Sequence, residues 1–125
     1  MPTIVHFDIP ADDQERARAF YEELFDWRFE FLPTPVPYYL IETKDLNGNP
    51  GIGGGMAKRG APGQQISNFI GVESIDEYIE KVVKLDGKIL LPKTPVHGWG
   101  YLAVCLDTEN NTFGLWEEHR VIEKS

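Results

Sequence analysis

Two groups of residues in this chain are of types that do chemistry. His6 and Asp8 lie two apart in an alternating stretch, so on a strand they share one face, roughly 7 Å apart along it. An imidazole beside a carboxylate can hydrogen-bond a ligand or move a proton. The same pair can also simply satisfy itself. The second group is His97-Gly-Trp99-Gly-Tyr101, which sets aromatic rings between glycines at the mouth of a strand. It could be a lid or a flat stacking surface, or it could cover a sheet or a dimer contact. Trp116, Tyr38 and Tyr39 are strand aromatics, and alternation alone does not say which of them face inward. Cys105 sits in the apolar run Leu102-Ala-Val-Cys-Leu106 and reads as a buried thiol rather than a nucleophile. His119 falls in a polar tail and is given no role.

Other chemistries are thinly represented. Gly53 to Gly55 lack the lysine and following helix of a phosphate loop, and there is no Gly-x-Ser-x-Gly elbow. Spacing alone nominates no nucleophile–base pair, so no catalytic residue is assigned.

Composition narrows the field further. The 125 residues carry a formal charge of −8, and the twelve Lys and Arg do not cluster. Lys81, Lys84 and Lys88 are interleaved with Glu77 and Glu80, as on a solvated helix face. No nucleic-acid partner is expected. No apolar run approaches the roughly 18 residues of a membrane span, and the N-terminus lacks the regions of a signal peptide. A lone cysteine fits a reducing compartment, so a cytoplasmic location is expected. Apolar residues make up 42 %, enough for a packed core.

The elements that must position these groups follow from periodicity. Thr3 to Ile9 alternates and Pro10 should end it. Asp12 is placed as a helix N-cap with Glu15 completing a capping box. Ala17, Phe20, Tyr21, Leu24 and Phe25 then form one apolar stripe, ending near Asp26. Trp27–Leu32, Tyr38–Thr43 and Gly51–Lys58 read as strands, with Pro33, Pro35 and Pro37 between the first two and Asn47-Gly48 as a hairpin signal. Residues 59–65 are a linker by composition. The order then repeats. Ile66–Val72 is a strand, and Ser74 caps a helix striped by Ile75, Tyr78, Ile79, Val82 and Val83. Asp86-Gly87 ends that helix at a left-handed glycine. Lys88–Leu91, Tyr101–Leu106 and Thr112–Glu118 are strands, with a loop over Pro92–Gly100 and a turn over Asp107–Asn111.

Each half is thus strand, helix and three strands. The caps, stripes and turns agree between halves, with Ile52-Gly53 matched to Phe113-Gly114. A four-stranded sheet with one helix shelters little area by itself. Two such modules, 1–58 and 66–120, can curl their sheets around a cleft, the usual place for a small ligand. The expected class is α+β, with tandem βαβββ modules forming two curled mixed sheets within one domain, 1–125.

At this point the chain resembles the vicinal oxygen chelate superfamily of glyoxalase I, bleomycin-resistance proteins and extradiol dioxygenases. The resemblance rests on Val5-His6-Phe7, on Ala17-x-x-Phe20-Tyr21-x-x-Leu24-Phe25 and on Val82-Val83-x-Leu85-x-Gly87-Lys88-Ile89-Leu90-Leu91-Pro92. It also rests on Asp107-x-Glu109-x-Asn111-x-Phe113-Gly114-Leu115-Trp116. It implies paired modules, often dimeric, and in some members a divalent metal held by His, Glu or Gln. Carried over by position, the ligands would be His6, a residue within Gly53 to Gly55, Ser67 or Asn68, and Gly114. One of four survives, and a metal wants at least three protein ligands. The expectation is therefore no metal and no other cofactor.

Three functional readings follow. The first is a metal-free homodimer that binds a small, partly apolar molecule among His6, Asp8, Asn68, Trp99, Tyr101 and Trp116. The second is a glyoxalase-like lyase or dioxygenase-like enzyme with a non-standard ligand set, whose metal acts as a Lewis acid. The third is a non-catalytic interaction module whose cleft its own aromatics fill.

Overall fold

The structure, a computed structural model, describes residues 1–33 and 36–118. Pro35 and His119 lie outside the described residues. The element order is β1 (Thr3–Ala11), α1 (Gln14–Phe25), β2 (Arg28–Leu32), β3 (Tyr38–Glu42), β4 (Gly53–Lys58), β5 (Ser67–Gly71), α2 (Ile75–Lys84), β6 (Lys88–Val96), β7 (Gly100–Leu106) and β8 (Thr112–Glu118). This is βαβββ twice, an α+β fold. By contacts the chain divides into two compact units, His6–Ser67 and Met1–Val5 with the chain from Asn68 onward.

In the first unit the strand order is β2-β3-β4-β1. β1 and β4 run parallel, with His6 opposite Gly53 and Asp8 opposite Gly55. The β2–β3 and β3–β4 pairs are antiparallel. Ile9, Ala11, Tyr39, Ile41 and Met56 form the core beneath α1, with Phe7, Tyr21 and Trp27 packed against it. Alternation then puts His6, Asp8, Tyr38, Leu40, Gly53 and Gly55 on the opposite face, which carries no helix. In the second unit the order is β5-β8-β7-β6, again with one parallel pair, β5 with β8. Ile75, Ala103, Cys105 and Leu115 are its core.

The repeat is written most clearly in the turns. The Asp45 carboxylate accepts the backbone N–H of Asn47 and of Asn49, each at 2.9 Å. The Asp107 carboxylate accepts those of Glu109 at 2.8 Å and Asn111 at 2.9 Å. The left-handed position falls on Gly48 in one turn and Asn110 in the other, residue types that tolerate it.

Several details differ from the sequence expectations. The α1 cap is Asp13, which accepts the Arg16 N–H at 3.0 Å. Asp12 instead pairs with Arg59 at 3.0 Å. Ser74 does cap α2, accepting the Glu77 N–H. β1 continues through Pro10 to Ala11. In a parallel pair only alternate residues donate to a given neighbour, so a proline in a non-donating place keeps the ladder. β6 continues to Val96 despite Pro92 and Pro95, because it pairs only with β7 among the described residues and does so through register shifts. The left-handed residue after α2 is Asp86, not Gly87. Gly87 is required for a different reason: a Cβ there would press on the Leu106 carbonyl and Val82.

The repeat register also shifts. Met56 and Leu115 are matching core positions, so Gly55, not Gly53, corresponds to Gly114, and Ser67 corresponds to His6. The α1 stripe is the largest departure. Phe20, Leu24 and Phe25 are each more than half exposed, and no residue of α1 is fully buried. In α2 the stripe does its expected work, with Ile75 at 0 % exposure.

Candidate functional site

On the helix-free face of the first unit, three side chains from two strands converge. The Tyr38 hydroxyl donates to Asp8 Oδ1 at 3.0 Å. His6 Nε2 lies 3.1 Å from the same oxygen and 3.3 Å from the Tyr38 oxygen. A carboxylate has only acceptors, so the ring nitrogen turned toward it carries the hydrogen. Asp8 thereby fixes the tautomer and the orientation of the imidazole, the arrangement of a base and its orienting group. Burial, and then the neighbouring Asp8 charge, push the Tyr38 phenol well above its ordinary value. It is a neutral donor throughout the physiological range.

The glycines of β4 make this cluster possible. A Cβ on Gly55 would overlap the Tyr38 hydroxyl and ring and press on Asp8 Oδ1. The tyrosine side chain occupies the volume that a β4 side chain would need. Over Gly53 the situation is different, for a Cβ there would meet only the Ile41 carbonyl, at 3.5 Å. The slot beside His6 therefore has a floor of bare backbone, and Glu42, which follows the Ile41–Gly54 pair in register, lies on its other side. His6, Asp8 and Tyr38 are all only partly buried.

The remaining expected site residues belong to the second unit, and the structure does not treat them alike. Trp116 pairs in register with Leu102 and with Gly71 and sits on that unit's helix-free face. Trp99 follows a turn closed by its own N–H on the Val96 carbonyl and is 53 % exposed. Tyr101 packs against the core beneath α2, with Lys93 4.6 Å over its ring. Asn68 alternates with Phe69, which lies opposite Gly114, so it is turned to the helix-bearing side. Cys105 is fully buried, and burial raises its thiol above the ordinary range.

The residue that sequence reasoning left unassigned is Tyr38. A signal was available: it opens the strand beside the glycine-rich one, and a glycine inside a strand marks close approach by something. Here the visitor is another side chain of the same sheet. The second unit repeats the device differently, since a Cβ on Gly114 would overlap the Phe69 ring.

The metal site of some family members is not matched by these residues. His6 Nε2 carries a hydrogen toward Asp8, so the ring could offer a metal only its Nδ1, one donor where at least three are needed. Gly53, Gly55 and Gly114 offer no donor, and the space at the last two is taken by Tyr38 and Phe69. Among the described residues no three His, Cys, Asp or Glu side chains gather closely enough to hold a metal ion.

The doubled βαβββ order and the glycine-floored face define a class of protein, and comparison with known families agrees. Residues 3–115 match the Glyoxalase/Bleomycin resistance protein/Dioxygenase superfamily, and the chain belongs to that family. Relatives from Mycobacterium bovis and Mycobacterium tuberculosis, each called "Putative glyoxylase CFP32", are 27 % identical over 118 residues, which is 92 % of this chain and 45 % of theirs. The chain thus spans less than half the length of these relatives. Among solved structures, a hypothetical protein from Bacillus halodurans superimposes with a TM-score of 0.71 at 14 % identity, covering 98 % of this chain and 99 % of that one. A methylmalonyl-CoA epimerase from Streptomyces coelicolor, in complex with 2-nitronate-propionyl-CoA, gives 0.70 at 11 % identity, covering 98 % of each. At these identities the structural likeness concerns the fold.

Proposed function

We propose that this protein is a homodimeric, cytoplasmic member of its family that binds a small, partly apolar molecule over the helix-free face of the first unit, without a bound metal. The observation that carries this reading is the Tyr38 hydroxyl in the volume of a Gly55 side chain. It holds Asp8 and, through Asp8, the Nε2 of His6 in hydrogen bonds. The slot over Gly53 is bordered by the imidazole on β1 and by Glu42 on β3, with the apolar Leu40 one step along the same face, opposite Gly55. Trp99 and Trp116 are the aromatics best placed on their own unit to add stacking surface. Family membership and the glyoxylase name of the mycobacterial relatives support a small-molecule ligand. The buried free thiol of Cys105 supports a reducing compartment.

A second reading has one observation in its favour. An imidazole oriented by a carboxylate is built for proton transfer, so a metal-independent acid–base reaction would use His6 with Asp8 as its positioning partner. Thermal-shift screening of metabolites separates the cases, because a ligand specific for the native state raises Tm. A hit whose shift disappears in His6→Ala supports the site. Turnover of that hit without added metal, lost in both His6→Ala and Asp8→Asn, supports the second reading. Near-stoichiometric Zn, Ni, Mn or Fe in protein purified without a tag, released by His6→Ala, would overturn both.

A further inference from the structure

The two outermost strands are protected very differently. β6 carries Pro92 and Pro95 and register shifts against β7, and these are the usual means of blunting a sheet edge. β2 pairs only with β3 among the described residues. It has no proline and no bulge, and Phe31 on it is 52 % exposed. An open row of backbone donors and acceptors beside an exposed aromatic is a template for another strand.

We propose that the occupant is β2 of a second copy, paired antiparallel about a two-fold axis through Phe29. This inference rests on the homodimer of the preceding section and not on its ligand. Charge selects the register. Direct opposition in an antiparallel pair puts partners on the same face, so the axis must pass through a residue. An axis through Glu30 sets two carboxylates face to face, and one through Phe31 leaves Glu30 against Leu32. The axis through Phe29 places Arg28 opposite Glu30 of the second copy, twice by symmetry, on the helix-free face. On the helix-bearing face it sets Phe31 opposite Trp27 of the second copy. Trp27 already packs on Tyr21 and Phe25, with ring centroids 5.2 and 5.1 Å away. The arrangement therefore covers the exposed Phe31 with an existing aromatic cluster and extends the sheet across the axis.

The test uses charge reversals at exposed positions, which leave the fold of each copy intact. By sedimentation velocity the wild type is a dimer at micromolar concentration. Arg28→Glu and Glu30→Arg each weaken self-association by about tenfold or more, because both opposed pairs become like-charged. An equimolar mixture of the two single variants regains the wild-type dimer, since each supplies the charge that the other lacks. The double variant, with both charges exchanged, also dimerises. Recovery in the mixture separates a contact between copies from a change within one strand. A dimer indifferent to all these substitutions overturns this surface and leaves the homodimer standing. A wild-type monomer at high micromolar concentration overturns both.

Discussion

The Tyr38 hydroxyl stands where the first carbon of a Gly55 side chain would be, bonded to Asp8 at 3.0 Å. Gly55 is therefore a packing position, and adding one methyl group there must push a ring out of its place. Gly55→Ala should cost about 1–3 kcal/mol, the usual penalty for overfilling a packed site. For a chain of this size that lowers Tm by roughly 4–12 °C. Tyr38→Ala loses packing and hydrogen bonds but opens the same volume. The double variant should consequently be more stable than the sum of the two single losses allows. Strict additivity in that cycle, measured by urea denaturation, would show that the two positions do not compete for space.

Tyr38 should also leave a mark on the alkaline limb of stability. Its phenol is held protonated in the folded state, mainly by burial and then by the Asp8 charge. In the unfolded chain it ionises near its ordinary pKa of about 10. Above that pH the unfolded state binds fewer protons than the folded one, so stability falls as pH rises. Wild-type Tm should therefore drop more steeply between pH 9 and 11 than that of Tyr38→Phe. In phenolate absorbance, the wild-type minus Tyr38→Phe difference should stay flat through pH 10. A difference signal titrating at that pH would mean the hydroxyl is not sheltered.

The acid limb is set in part by a turn. Asp107 is held below the ordinary carboxylate value, first by the Asn111 N–H and then by that of Glu109. A depressed pKa contributes stability that is present at neutral pH and lost as pH falls through the carboxylate range. Asp107→Ala should lower Tm at pH 7 and flatten its acid dependence below about pH 4. Asp107→Asn keeps an acceptor for the two N–H groups and should fall between. Equal Tm for all three proteins at pH 7 would remove the turn from the account of stability.

The Asp107 turn and the Ser74 cap were legible because both are local: a few side chains bond to backbone within four residues of themselves. The alternating and 3.6-residue patterns were local too, and the doubled βαβββ order follows from them. Legibility ended where a residue's role depends on a strand far away in sequence. Gly55 and Tyr38 are seventeen positions apart, and only the β3–β4 register brings the hydroxyl over the glycine. The faces of Asn68 and Tyr101 were not legible, because a one-residue shift of register turns a strand side chain to the other side of the sheet. Pro10 looked like a strand end because the sequence does not say which backbone groups face which neighbour.

The helices give a matched pair of expectations, since their stripes look alike in sequence and pack differently. Ile75 is completely enclosed at the start of α2, so Ile75→Ala should cost about 2–5 kcal/mol. Leu24 occupies an equally apolar place on α1 but is 56 % exposed. Leu24→Gln should change stability by less than about 0.5 kcal/mol, as surface substitutions usually do. A large loss at Leu24 in dilute solution, measured by chemical denaturation, would show that the outer face of α1 is covered.

Chelation offers the most direct test of how His6 is used. A protein whose native state holds a divalent metal at a hundred times its Kd gains about 2.7 kcal/mol from it and loses that on chelation. Among the described residues no three His, Cys, Asp or Glu side chains gather closely enough to hold such an ion with His6. Overnight dialysis against EDTA should leave Tm within about 1 °C of its starting value, and adding back zinc or manganese should not raise it. His6→Gln should lose less stability than Asp8→Ala. The glutamine amide can still donate to the carboxylate, whereas removing Asp8 takes the shared acceptor from the Tyr38 hydroxyl and from His6 Nε2. A Tm that falls on chelation and recovers with one equivalent of metal would mean that the imidazole lone pair serves a cation.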